Sequence, residues 1–199
     1  MESLIKRDPE WRWYHAALFL VSMQAATFGL EGLVAKLSGA SNKFEINSQR
    51  QVDLYYEYKQ AKFIPPPWVF GPAWITNNLL TLAGNLRALN KHKGLRGRTA
   101  YLVMQGISWF IFATFNAASV PVRSPINAFV WTFTMWSLTL ASIIVAARVM
   151  KDIAIAWSLA TLMIWTTLAS LVALFQMLWN RDDLYKAGPF AEPIKGLER

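Results

Sequence analysis

The strongest constraint on this chain is Ile153–Asn180, twenty-eight consecutive residues without a formal charge. As a helix, such a run spans about 30 Å of hydrocarbon with tilt or with one end protruding. Four more runs share its character: Trp13–Leu30, which continues as helix to Leu37, then Pro67–Leu86, Thr99–Val120 and Ile126–Ala147. Lipid offers no partner for a backbone N–H or C=O, and short connections leave helices as the only backbone that pairs itself within each run. The expected fold is an all-α membrane protein, a bundle of five transmembrane helices over 13–37, 67–86, 99–120, 126–147 and 153–180. These form a single domain, 13–180, between an N-terminal tail, 1–12, and a C-terminal polar tail, 181–199.

Composition agrees with that class: 54 % of residues are hydrophobic, 16 % are charged, and ten are tryptophan. The net charge of +8 would suggest nucleic acid in a soluble protein. Most of the basic residues fall between the apolar runs, and no stretch combines them with surface aromatics, so the lipid bilayer is the partner and nucleic acid is not. The absence of cysteine removes disulfides, thiolate chemistry and haem attachment. His15 and His92 stand too far apart for a histidine-rich metal site, and His15 reads as a headgroup-level side chain. A basic start before the first apolar run could mark a cleaved signal. That run is long for one and lacks a small-x-small exit, so it reads as a membrane helix.

Between the runs, residues 38–62 form the longest connection and carry Tyr55, Tyr56 and Tyr58; long connections often serve as lids. A basic hairpin follows the second run, with Arg87, Lys91, Lys93, Arg96 and Arg98 and no acid. Pro121–Pro125 makes a tight turn, and Arg148, Lys151 and Asp152 mark a short one. The tail contains Gly188-Pro189 and is expected to be loosely ordered. Lys and Arg are split ten and ten between the two sides, so the short basic hairpin is the one pointer toward a cytoplasmic face.

Trp11, Trp13, Trp68 and Trp179 sit where tryptophan favours a membrane–water boundary, whereas Trp109, Trp136 and Trp165 fall near the centres of their runs. Asn77 and Asn78 fall at the same level, with Asn85 one heptad beyond Asn78, and Gln105 and Asn116 add amides on the third run. Two readings stay open. The indoles and amides could line a chamber for a large planar ligand, or they could fill gaps and hydrogen-bond between helices. No ionisable residue lies near the centre of a run, which argues against a proton relay, voltage sensor or ion-coupled pump. Glu31, near the end of the first helix, is expected to snorkel to water. No carboxylate pair, metal cluster or phosphate loop points to catalysis. Gly84/Ala88, Ala113/Ala117, Ala156/Ala160 and Ala169/Ala173 are four apart and allow close helix approach. Arg98-x-x-Tyr101-x-Val103 matches a mirrored cholesterol-type pattern.

At the head of the second run stands Phe63–Trp74, FIPPPWVFGPAW. Pro65, Pro66 and Pro67 hold the entry extended, and Pro67 suits a first helical turn. Gly71 and Pro72 let the young helix pack closely or bend. Pro65-Pro66, Trp68-Val69, Gly71-Pro72 and Trp74, followed by a tryptophan-rich five-span layout, resemble the TspO/MBR family of tryptophan-rich sensory proteins and translocator proteins. The chain departs from the family where Asn78 replaces a usual tyrosine. It departs again in the third helix, which keeps Gln105 of a Gln-x-x-x-Asn-x-x-Trp pattern but has Trp109 and Phe112 in the other places. In the fifth helix Trp165 and Ala169 fit, while Thr161, Leu162 and Ala173 replace Pro, Tyr and Asn.

The resemblance implies a TspO/MBR-like bundle, often a homodimer, that binds a flat lipophilic ligand such as a tetrapyrrole, porphyrin or sterol and requires no cofactor. Trp68, Phe70, Trp74, Trp109, Trp136 and Trp165 would form the aromatic lining, Asn78 and Gln105 would offer hydrogen bonds, and the 38–62 segment would close over the chamber. Light-dependent porphyrin degradation, suggested for some members, does not carry over, because its tyrosine and asparagine are missing; no enzyme activity is expected. A non-catalytic structural subunit of a larger membrane complex, such as a pigment–protein assembly, is the alternative.

Overall fold

A computed structural model describes residues 10–40 and 48–199, with side chains beyond residue 50 in the second segment. Trp13–Leu37 is α1 and a short helix, Ser48–Glu57, is α2. Pro67–Leu89 is α3, Arg98–Ser119 is α4, and Pro125–Ile144 is α5, continued by a π-helical turn over Val145–Val149. Ile153–Ser158 is α6 and Ala160–Trp179 is α7. Four helices are long and apolar enough to cross a membrane: Trp13–Leu37, Arg98–Ser119, Pro125–Val149 and Ala160–Trp179. The fifth expected span, α3, is 23 residues long, but it is more polar because Asn77, Asn78, Asn85 and Arg87 lie along it.

Local chemistry explains where the helices begin and end. Pro67 occupies the first turn of α3, where its missing N–H costs nothing. The Ser124 hydroxyl accepts the Asn127 N–H at the start of α5, and the Asp152 carboxylate accepts the Ile155 N–H at the start of α6. Gly97 turns the chain into α4 at φ 84°, where an added Cβ would meet Val149 Cγ1 at 2.8 Å. The run expected as one helix over 153–180 is interrupted at Leu159. There the Ser158 hydroxyl bonds back to the Ile155 carbonyl at 2.7 Å, and the Leu159 N–H bonds the Ala156 carbonyl in a tighter turn.

α1 packs along α4, α4 against α5, α5 against α7, and α3 against α6. On α1, burial is inverted relative to a helix of a water-soluble bundle. Leu18, Val21 and Leu37 of α1 point outward, while Thr27, Glu31, Gly32 and Ala35 are its buried residues. The same inversion buries Asn77, Asn78, Thr81, Asn85, Gln105 and Ser108 in the α3 and α4 faces. Only lipid makes that arrangement favourable, because the outward surface is then matched to its solvent.

The two ends of the bundle differ. At one end the Trp11 N–H donates to Asn90 Oδ1, Asn90 Nδ2 donates back to the Trp11 carbonyl, and Asp152 binds Arg87 and Lys91. At the other end α2 and the C-terminal tail interlock, contrary to the expected loose tail. Asp182 is fully buried and accepts from the Ser124 hydroxyl at 2.6 Å and the Ile126 N–H at 3.1 Å. Further on, the Lys62 N–H donates to the Leu197 carbonyl and the Arg199 N–H to the Gln60 carbonyl.

Candidate functional site

A cavity of about 520 Å³ opens between the helices at the α2 end of the bundle. That volume falls within the range of small-molecule sites. α1 contributes Gln24, Thr27, Phe28 and Glu31, spaced i, i+3, i+4 and i+7 and therefore on one helix face. α3 contributes Phe70, Gly71, Trp74, Ile75 and Asn78 from its first turns. Pro65 and Pro67 also touch the cavity, so the proline collar sets where this wall begins. The second half of α4 supplies Phe112, Phe115 and Asn116, α5 supplies Trp131 and Thr132, and α7 supplies Trp165, Thr166 and Gln176. From α2 and the residues after it, Gln51, Val52, Leu54, Tyr55 and Tyr58 close the mouth.

Of the residues expected at a ligand site, Phe70, Trp74, Asn78 and Trp165 line this cavity. Trp165 meets Phe70 edge-on at 5.3 Å between ring centroids and Trp74 at 6.3 Å, and Trp74 lies 5.3 Å from Phe112. The other four lie elsewhere. Trp68 is 75 % exposed on the outer face at the start of α3. Gln105 is buried, with Nε2 donating to the Ser142 hydroxyl at 3.0 Å. Trp109 packs against Phe19 at 5.0 Å and Phe112 at 5.5 Å, which places it at the α1–α4 seam. Trp136 stacks on Phe133 on the outer side of α5 and donates to the Thr167 hydroxyl at 3.0 Å.

The expectation that three mid-depth indoles share one chamber is therefore corrected. Equal depth fixes position along a helix axis but not rotation about it: of the three, only Trp165 lines the cavity, while Trp109 is buried at the α1–α4 seam. Trp179, expected at the interface, is also buried, 4.8 Å from Phe175. The cholesterol-type pattern does not form one lipid face. Tyr101 is fully buried and donates to Asn85 Oδ1, Arg98 Nε donates to the Ala88 carbonyl, and Val103 points outward.

Glu31 departs most from expectation. It is 4 % exposed rather than snorkelled, it faces the cavity, and its Oε2 accepts from Asn116 Nδ2 at 3.0 Å. The i, i+3, i+4, i+7 spacing with Gln24, Thr27 and Phe28 was the sequence signal for that inward face. Two more polar atoms bear on the chamber: Trp165 Nε1 and the Tyr58 hydroxyl are buried without a hydrogen-bond partner among the described residues. Burial, opposed by the nearby Arg123, pushes the Tyr58 hydroxyl up to about 12, so it stays protonated at neutral pH. The site is an aromatic box with a few convergent hydrogen-bonding groups, suited to holding an apolar ring system and orienting it. A model of the TspO/MBR family matches residues 26–179, from the chamber-facing half of α1 to the end of α7. No curated protein matches the chain.

Proposed function

From the chain's membership of the TspO/MBR family, which makes it an integral, multi-pass membrane protein, we propose that it binds a flat lipophilic molecule of the tetrapyrrole or sterol kind within a five-span bundle. α3 serves as the fifth span: 23 helical residues rise about 35 Å, enough for the hydrocarbon core, and its amides are buried against neighbouring helices. The observation that carries the binding reading is the 520 Å³ cavity with Trp74, Phe112, Trp131 and Trp165 in its walls. The ligand enters from the bilayer and the segment containing α2 closes over it. The role is binding, for passive transport or sensing, and the lining supplies no chemistry of its own.

Titration with protoporphyrin in a non-ionic detergent, followed by tryptophan fluorescence, tests this reading. Saturable quenching in the micromolar range is expected, and Trp165→Phe should weaken it about three- to tenfold, the worth of one aromatic contact with its polar handle. Absence of saturation, together with co-purification of a stable multi-subunit complex, would favour the structural-subunit reading instead.

A further inference from the structure

The end of the bundle away from the chamber is charged on one side only. Residues 87–98, after α3, and 148–152, before α6, hold seven basic residues against one acid, Asp152. Asp152 binds Arg87 and Lys91, and the Arg98 guanidinium donates to the Ala88 and Leu89 carbonyls. The other four, Lys93, Arg96, Arg148 and Lys151, are exposed and meet no acid among the described residues. Two contacts bring them together. Lys91 Nζ reaches Asp152, next to Lys151, at 2.6 Å, and a Cβ added at Gly97 would meet Val149 Cγ1, next to Arg148, at 2.8 Å. Lys93 and Arg96 lie between those contacts on the hairpin, and Arg148 and Lys151 flank them on the facing turn. Like charges gathered without a counter-charge repel, and an anion relieves that repulsion. The opposite end is built differently, for there Arg123 is held between Glu57 and Asp183.

Below the cluster the surface turns apolar. α6 leads away from Lys151 into the bundle and presents Ile153 and Trp157, one turn apart, 63 % and 70 % exposed. Ile144, at the end of the α5 helix against which α6 packs, also points outward. Exposed tryptophan marks a membrane–water boundary, so the four cations stand at headgroup depth. We propose that this end carries a binding site for an anionic phospholipid. The phosphate and its headgroup sit on Lys93, Arg96, Arg148 and Lys151, and an acyl chain lies along Ile144, Ile153 and Trp157. Guanidinium and ammonium donors suit phosphate oxygens, and each basic residue at the surface adds attraction for anionic lipid. The apolar strip supplies a hold that a chainless phosphate has no means to use. This site is separate from the chamber and does not depend on what the chamber binds.

Native mass spectrometry of the full-length protein in a non-ionic detergent tests it, with dioleoyl phosphatidylglycerol and dioleoyl phosphatidylcholine added in equal amounts. The anionic lipid should be retained about tenfold over the zwitterionic one. An excess of glycerophosphoglycerol, the same headgroup without chains, should not displace it. In the combined Lys93→Gln, Arg96→Gln, Arg148→Gln, Lys151→Gln variant the preference should fall to within about threefold. A matched variant at the opposite end, Lys36→Gln, Arg181→Gln, Lys186→Gln, Lys195→Gln, removes the same charge and should keep the wild-type preference. Equal retention of the two lipids overturns the proposal. So does an equal loss in both variants, which would assign the attraction to net charge, and so does displacement by the chainless headgroup, which would make this a site for free phosphodiesters. Where the combined variant does not fold, Arg148→Gln and Lys151→Gln are measured singly: each should lower the preference, and no change in either overturns the site.

Discussion

Asp152 shows how a single side chain fixes one end of the bundle. Its side chain is 5 % exposed and accepts from Arg87 Nε at 2.8 Å and Lys91 Nζ at 2.6 Å while capping α6 through the Ile155 N–H. Burial raises the carboxyl, but the bonds from Lys91, Arg87 and Ile155 outweigh it and hold the group down to about 2 against an ordinary 3.8. A depressed carboxyl stabilises the fold above its unfolded value, and the contribution disappears as pH falls from 3.8 through about 2. Because Arg87 is half exposed, solvent screens its share, and Asp152→Asn should cost about 1–2 kcal/mol at neutral pH. Thermal unfolding in detergent should show the gap between wild type and variant closing across that acidic window and nowhere above it. At the chamber the same scale of detail was partly legible. Proline chemistry and aromatic character at Phe70 and Trp74 announced one wall. The inward turn of Glu31 and the outward turn of Trp136 depend on rotation about the helix axis, which partner helices decide.

Among the elements, α3 and α6 approach closely at Gly84. An added Cβ at Gly84 would run into the Ser158 side chain, its Cβ 2.9 Å away, and Ala88 one turn on is fully buried. The Gly84/Ala88 spacing signalled such an interface without naming its partner, since small-residue pairs specify closeness and not identity. Gly84→Ala should cost about 1–3 kcal/mol by overpacking. Ser158→Gly in the same background should recover part of it, so that the double variant costs less than the sum of the singles; strictly additive losses in thermal unfolding would place the clash elsewhere. Apolar runs and proline stops located α1, α3, α4 and α5 to within a few residues. α2 went unread because Ser48–Glu57 is polar and gains its order from Tyr55 and Leu54 packing at the chamber mouth. The break at Leu159 went unread because nothing in an unbroken apolar run marks it except Ser158, whose hydroxyl competes for a backbone carbonyl.

At the scale of the whole molecule, the C-terminal tail acts as a strap across the mouth of the chamber. Its polarity suggested a loose end, yet its polar groups have partners that are remote in sequence. Arg123 bonds Asp183 at 2.9 Å and Glu57 at 2.7 Å, joining the tail and the end of α2 to the α4–α5 turn. Asn180 Oδ1 accepts the Lys59 N–H, Gln176 Nε2 donates to Gln60 Oε1, and the Arg199 guanidinium donates to the Tyr55 hydroxyl. Exposed pairs such as Arg123–Glu57 contribute little singly, so the strap depends on its buried anchor. Asp182 is that anchor: its carboxylate satisfies the Ser124 hydroxyl and the Ile126 and Tyr185 N–H groups, and Asp182→Ala leaves the Ser124 hydroxyl buried without that partner and frees the two part-buried N–H groups. With one donor fully buried and two reached by solvent, the cost should be about 1–3 kcal/mol. The mouth residues Leu54, Tyr55 and Tyr58 are held from the tail side, so losing the anchor should also speed proteolytic cutting within 38–62. Limited proteolysis in detergent measures that directly. Faster cutting in Asp182→Ala and in a chain ending at Asn180, but not in Asp152→Asn at the opposite end, is the expected pattern; equal acceleration in all three would mean general loosening of the bundle and no strap.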